Sequence, residues 1–245
     1  MTTILKLGGS VITDKDQPET VDENGLDTVV ETVVDHYDPG EFVVVHGGGS
    51  FGHHHAAAHD YSKTEGTRDP RAVSDVHRAM TALNEAVVDA FQRRDVAAVQ
   101  VSPLSVAHRD ADGELSFPAA TLATTRGEGF LPVVQADPIV HEGRGVTILS
   151  GDEIVVSLAE SLDADRVGLC STVPGVLDDD GAVIDEIDSF DSVRDVLGAS
   201  DSTDVTGGMA GKVETLLSLG VPASIFDPDS LGEFLATGTA GTVVR

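Results

Sequence analysis

The sequence predicts an α/β fold built on a mainly parallel sheet. Two short apolar runs, Thr3–Leu7 and Phe42–His46, each break directly into glycines. Between them, residues 26–34 carry apolar side chains at 26, 29, 30, 33 and 34, the spacing of one helix face. Strand, helix and strand in this order make a βαβ unit, whose crossover is right-handed in nearly all cases. Both glycine turns then lie at the C-terminal edge of the sheet, where α/β proteins bind ligands.

The remaining elements follow in order. Gly8-Gly9-Ser10 ends the first strand beside Lys6, with Lys15 a few residues on, and Pro39-Gly40 punctuates the chain before the second strand. From 53 to 70 the chain reads as polar and irregular, except that Ala56-Ala57-Ala58 could begin a short helix. Val73, Val76, Met80, Leu83, Val87 and Phe91 mark one face of a long helix to about residue 94. That stripe is read first as core, although its first turns could line an apolar pocket. Strands are expected at 97–102 and 131–136, with 116–125 as an excursion between them and a hairpin at Gly143 and Gly145 leading into 146–149. Ser150-Gly151-Asp152-Glu153 is a helix start, with a capping oxygen and an acidic first turn. Strand Arg166–Cys170, a Pro-Gly turn, a hairpin tipped by Asp178-Asp179-Asp180-Gly181 and a helix over 190–197 come next. A third glycine-rich stretch, 204–212, runs into a helix over 213–219, and short elements at Ala223–Phe226, 231–236 and Thr242–Val244 follow.

The 245 residues fit one large domain or two small ones; the lack of a Pro/Ser-rich linker favours one. Cys170 is the single cysteine, so no intrachain disulfide can form, which fits a reducing cytoplasm. The strand-like start and the lack of a long apolar run predict neither export nor membrane insertion. The net charge of −27, from 42 acidic and 15 basic residues, would repel nucleic acid and anionic membrane, so neither is expected as a partner. It also suggests a halophilic protein, because near 1 M salt the screening length falls to about 3 Å. Lysine occurs only at 6, 15, 63 and 212, so an anion-binding protein of this composition must keep the lysines it needs.

Glycines without a Cβ let backbone amides approach an anion, and a helix beginning there adds donors and a favourable dipole. Lys6 and Lys212 accompany two of the three glycine turns. Amides and cations in this combination suit phosphoryl transfer, which depends on positioning and charge neutralisation. No Gly-x4-Gly-Lys-Ser/Thr motif is present, against a P-loop NTPase. Gly47, Gly49 and Gly52 satisfy G-x-G-x-x-G, but the dinucleotide fingerprint also wants a helix at the glycines and an acidic residue ending a second strand, and residues 60–64 hold no such strand.

Lys6-Leu7-Gly8-Gly9-Ser10, His46-Gly47-Gly48-Gly49-Ser50-Phe51-Gly52-His53, Ser150-Gly151-Asp152-Glu153 and Asp204-Val205-Thr206-Gly207-Gly208-Met209 through Lys212 together resemble the motif set of the amino acid kinase superfamily. Within it they resemble the archaeal isopentenyl phosphate kinases, in the right order over nearly the whole chain. The resemblance implies an open αβα sandwich around a mainly parallel central sheet in a single domain, usually a homodimer. Residues up to about 150 would form mainly the acceptor side and those from about 151 mainly the nucleotide side. The implied reaction is transfer of the ATP γ-phosphoryl group to isopentenyl phosphate, with Mg2+ accompanying ATP, in the mevalonate route to isoprenoids.

Roles carry over where residues match. Lys6 and Lys212 resemble the lysines that neutralise the transferring group, with Gly8, Gly9, Gly48 and Gly49 as backbone donors. Ser10, Gly207 and Gly208 complete the ATP turns, and Thr172 could donate a hydrogen bond to the nucleotide. His53 resembles the histidine that contacts the acceptor's phosphate; without the resemblance it would be read as a solvated loop residue. Asp152 resembles the aspartate that holds the two lysines, although it could merely cap its helix, and Gly151 lies beside the substrate. Lys15 is a further phosphate contact. No protein metal site is expected: side chains of His53-His54-His55 and His59 would diverge, and residues 178–180 read as a solvated tip rather than a calcium loop.

Three departures stand out. Ser171-Thr172-Val173-Pro174-Gly175 replaces a Thr-Asp/Asn-Val-Asp-Gly pattern, Gln135-Ala136-Asp137 replaces His-Gly-Asp, and Ala210 stands where lysine is frequent. Two competing functions remain open at this level, a fosfomycin-type kinase and a nucleotide-binding regulator without turnover.

Overall fold

The structure, a computed structural model, describes residues 1–198 and 208–245. In chain order its elements are β1 (Thr3–Leu7), α1 (Gly9–Ile12), α2 (Glu23–Val34), β2 (Phe42–His46), α3 (Gly49–Ala58), α4 (Pro70–Gln92), β3 (Ala98–Val101), β4 (His108–Arg109), β5 (Leu115–Ser116), α5 (Ala120–Gly127), β6 (Leu131–Gln135) and β7 (Asp137–His141). They continue as β8 (Gly145–Leu149), α6 (Gly151–Ser161), β9 (Arg166–Cys170), β10 (Glu186–Ile187), α7 (Arg194–Gly198), α8 (Gly208–Leu216), β11 (Ala223–Phe226), α9 (Leu231–Thr237) and β12 (Thr242–Val244).

Among the described residues the central sheet has eight strands in the order β10-β12-β11-β9-β1-β2-β6-β3. Its pairings are parallel except β11 with β12. Every residue of β1, β2 and β6 is buried, as expected where helices cover both faces. Alternation along each strand sends neighbours to opposite faces. Leu5, Leu7, Phe42 and Val44 pack with α2, α4 and α9 on one side. Ile4, Val43 and Val45 pack with Leu122 of α5, Ile154 of α6 and Val213 of α8 on the other. The fold is therefore the expected αβα sandwich. A smaller sheet, β5-β4-β7-β8, sits beyond the C-terminal edge.

Three local expectations need correction. The stretch from 53, expected to be irregular, is helical as far as Ala58, since α3 starts at Gly49 and carries His53, His54 and His55. Its intrinsic propensity is poor, but Phe51 and Ala56 are buried and Gly52 crosses α4 so closely that a Cβ there would lie 2.8 Å from Met80 Sδ; tertiary packing overrides propensity. Residues 116–125 resolve into the end of the β4–β5 hairpin and most of α5. The helix expected over 190–197 is a 3₁₀ turn, Phe190–Ser192, followed by α7.

Candidate active site

Register places the strand ends side by side: Leu7 pairs with His46 and with Cys170, and His46 pairs with Gln135. The turns after β1, β2, β6 and β9 thus leave the sheet along one edge. Gly8 N donates to Cys170 O at 2.8 Å and Gly47 N to Leu7 O at 3.0 Å, locking the first turn between its neighbours. The first two glycine turns touch. A Cβ on Gly9 would overlap the Gly49 amide, and Gly49 itself has φ +47° with no room for a Cβ beside Thr13 Oγ1. Only glycine permits that approach and that conformation together. Thr13, which the sequence reading passed over, ties the turns by donating to Gly9 O at 2.8 Å and accepting from Ser50 N at 3.1 Å.

Lys6 shares the face of β1 that carries Ile4, the face on which α6 packs. α6 opens with a capping box: Ser150 Oγ accepts from Glu153 N, and the Glu153 carboxylate accepts from Ser150 N at 3.0 Å. This start brings Asp152 onto Lys6, with Nζ to Oδ1 at 2.6 Å and both residues buried. Burial pushes the Asp152 carboxyl up, but the ammonium groups of Lys6, Lys212 and Lys63 outweigh it, and its pKa lies below the usual carboxylate value. Gly151 leaves space for the lysine stem: a Cβ there would lie 3.0 Å from Lys6 Cε.

Above this pair opens a cavity of about 650 Å³. Of the residues expected from the sequence, Lys6, Gly8, Gly9, Ser10 and Lys15 line it from the first turn, and Gly48, Gly49 and His53 from the second. Gly151, Asp152, Thr172 and Lys212 line it from the C-terminal half. Gly208 opens α8 but is not part of the wall, and Gly207, with Asp204, Val205 and Thr206, lies outside the described residues. One side of the cavity is apolar, formed by Ala56 and Ala57 of α3, Val76 and Met80 of α4, and Ile148 of β8. Val76 and Met80 are thus core residues and pocket lining at once.

His53 and His54 are exposed to the cavity, whereas His55 pairs with Glu19 at 2.6 Å and His59 with Asp75 at 3.1 Å. The Asp178 carboxylate accepts from the amides of Asp180 and Ala182, both at 2.9 Å, and so closes its own turn. Beneath the cavity the departure at 135–137 forms a polar layer. Asp137 accepts from His77 Nδ1 at 2.8 Å, Ser102 Oγ at 2.8 Å and Leu104 N at 3.0 Å. The Asp137 bond raises the His77 pKa against the effect of partial burial. His46, fully buried, is lowered to about 4 by desolvation and is neutral at physiological pH. Its Nε2 and both amide atoms of Gln135 are buried without a hydrogen-bond partner among the described residues.

Sequence reasoning also missed Ser62, Lys63 and Asp137, which all line the cavity. For Lys63 a signal existed, as one of only four lysines. The dinucleotide reading needs one amendment: a helix does open at the glycines, yet α4 rather than a second strand follows α3.

The model of the amino acid kinase family matches residues 1–221. A curated isopentenyl phosphate kinase of Haloferax volcanii is 58% identical over 99% of this chain and 98% of its own length. The chain belongs to the amino acid kinase family, among the isopentenyl phosphate kinases. The isopentenyl phosphate kinase of Methanocaldococcus jannaschii is 32% identical over 88% of this chain and 86% of its own. A crystal structure of an isopentenyl phosphate kinase superposes with a TM-score of 0.86 at 27% identity, covering 100% of both chains. Membership of this kinase family makes the chain an ATP-dependent phosphotransferase with a small-molecule substrate. Among the described residues no helix is long and apolar enough to cross a membrane.

Proposed function

We propose that the chain transfers the γ-phosphoryl group of ATP to isopentenyl phosphate, giving isopentenyl diphosphate and ADP. The observation that carries this reading is the cavity itself: a wall of glycine turns and lysines around the Lys6–Asp152 pair, continuous with an apolar side at Ala56, Val76, Met80 and Ile148. A phosphate bearing a short hydrocarbon tail matches both halves.

In this reading a terminal oxygen of the acceptor's phosphate attacks the γ-phosphorus. The bond from that phosphorus to the bridging oxygen breaks, and ADP leaves with the electron pair. Lys6 and Lys212 neutralise charge on the transferring group, and Asp152 holds them in place. The turns at Gly8, Gly9, Gly48 and Gly49 supply backbone donors, Lys15 meets phosphate at the rim, and His53 with Gly151 addresses the acceptor. Ser10, Thr172, Gly207 and Gly208 belong to the nucleotide side. Placing these donors before reaction is worth about 10² to 10³ in rate for each.

Magnesium belongs to the same reading. Asp152 is engaged by Lys6 and Asp137 by three donors, a donor set that fits an ion carried mainly on the phosphates of ATP. Bound there, the ion neutralises phosphate charge.

The reading extends to a single domain, with residues to about 150 mainly on the acceptor side and those from about 151 mainly on the nucleotide side. It extends also to a homodimer, a cytoplasmic location in keeping with the one buried thiol, a salt-adapted surface, and a place in the mevalonate route. An ADP-release assay with isopentenyl phosphate, dimethylallyl phosphate and fosfomycin tests the substrate. Turnover with isopentenyl phosphate is expected, and preference for fosfomycin, or ATP binding without turnover of any acceptor, overturns the proposal. In the same assay His53→Ala lowers turnover sharply and leaves ATP affinity little changed.

A further inference from the structure

All four lysines of the chain, Lys6, Lys15, Lys63 and Lys212, line this cavity, and none of the arginines that make up the rest of the fifteen basic residues does. The two cations are not equivalent. An ammonium is a compact point charge on a flexible stem, whereas the planar guanidinium fork binds carboxylates and phosphates bidentately; arginines here are engaged elsewhere, Arg109 with Glu153, Arg94 with Asp27 and Arg126 with Gly40 O. In so acidic a chain lysine persists only where it faces the cavity. The motifs hold Lys6 and Lys212, and Lys15 follows the first of them by a few residues; Lys63 stands near none of them.

Its position is built. Lys63 follows Ser62, whose carbonyl accepts from Ile148 N at 3.0 Å and whose hydroxyl accepts from Thr64 N at 3.2 Å and Glu65 N at 3.1 Å. Thr67 and Val146 exchange backbone hydrogen bonds, and Arg144 donates to Thr64 O at 2.9 Å. The segment is therefore held against β8, the strand that delivers Ser150 and Gly151. Lys63 Nζ lies 3.5 Å from Glu153 Oε2. Glu153 also accepts from Arg109 at 2.6 Å and from Ser150 Oγ at 2.7 Å, so this carboxylate has closer hydrogen-bond partners than Lys63. An ammonium has three donors, and among the described residues Lys63 makes one ion pair, at 3.5 Å, so donors remain for a ligand.

We propose that Lys63 is a further substrate-binding residue, its ammonium pairing with the acceptor's phosphate, and that Glu153 is its positioning residue. The acceptor side is indicated because Lys63 is tied to β8 next to Ile148, on the apolar side of the cavity, whereas Thr172 and Lys212 enter from β9 and α8. The proposal rests on the reading of isopentenyl phosphate as acceptor.

The test is steady-state kinetics of the full chain at one fixed salt concentration, with Lys63→Met, Lys63→Arg and Glu153→Gln. Lys63→Met keeps the stem and removes the charge; it should raise KM for isopentenyl phosphate about tenfold, as for one lost hydrogen bond between charged groups. KM for ATP should stay within about twofold and Tm nearly unchanged, since the ion pair of Lys63 with Glu153 is long and partly exposed. Lys63→Arg should recover part of the loss, and Glu153→Gln should raise the same KM by less than Lys63→Met. An unchanged KM for isopentenyl phosphate in Lys63→Met, or equal rises for both substrates, overturns the role. Wild-type enzyme that binds ATP but does not turn over isopentenyl phosphate overturns the proposed function itself, a result distinguishable from failure of Lys63 alone.

Discussion

Replacing Asp152 by Asn keeps the shape of the side chain and removes the charge that Lys6 faces at 2.6 Å in a site where both residues are buried. Breaking a buried ion pair by removing one partner costs about 3–5 kcal/mol, because the remaining charge stays desolvated. For a chain of this size each kcal/mol shifts Tm by about 2–4 °C, so Asp152→Asn should lower Tm on the order of 10 °C. Lys6 then loses its anchor, and Lys212 the carboxylate whose charge it feels, so kcat should fall about 10² to 10³-fold. Nucleotide phosphates can stand in for the missing carboxylate; saturating ATP should therefore raise Tm more in the variant than in the wild type. The pH dependence has a definite sign. The Asp152 pKa is depressed in the folded chain, so its contribution is present above the unfolded value of about 3.9 and is lost as pH falls through the folded one. The gap in Tm between wild type and variant should therefore close only in acid. Thermal melts with and without ATP, together with ADP release, measure all of this. A variant with wild-type kcat, or with unchanged Tm at neutral pH, would refute the account of the pair.

Gly49→Ala forces a side chain into the left-handed region at about 1–3 kcal/mol and also meets Thr13; activity should fall with Tm. Gly129→Ala, at φ +85° with open space around its Cβ, should lower Tm without loss of activity, separating strain from the site. The raised His77 pKa means that its bond to Asp137 contributes fully below about pH 6.5 and fades as pH rises through the folded value. The stability difference between wild type and His77→Gln should accordingly shrink on going to alkaline pH; a constant difference in denaturant melts would contradict it. The charge of −27 should make the chain melt several degrees higher in molar KCl than at low ionic strength, where screening extends to only about 3 Å and about 10 Å or more respectively; equal melting would remove the salt adaptation.

Much of this molecule is local information. β1, β2 and β9 match the segments expected residue for residue, because strands covered on both faces need a mainly apolar run. The start of α6 is legible for a similar reason: a serine followed three residues later by glutamate satisfies the helix's first amides from its own side chains. α3 was not legible. Glycines and histidines favour no helix by themselves, and burial of Phe51 and Ala56 near α4 decides the matter. The polar layer under the cavity was hidden too, since Asp137 draws His77 from α4 and Ser102 and Leu104 from the turn after β3.

The sequence alone marked the residues to which the proposed chemistry is assigned: glycine turns, lysines retained against 42 acidic residues, and a capped helix bearing Asp152. Only the tertiary structure decided how they meet. Lys6 and Asp152 are 146 residues apart and form one ion pair because β1 and α6 share a face of the sheet. Gly9 and Gly49 can be read as flexible from sequence, yet Gly9 must be glycine because of the Gly49 backbone, and Gly49 because of Thr13, Gly9 O and its own positive φ. Lys63 shows the division most clearly. Composition marks it as unusual, but only its fixed place beside β8 gives it a ligand to bind, because charge is a property of the residue and direction is a property of the fold.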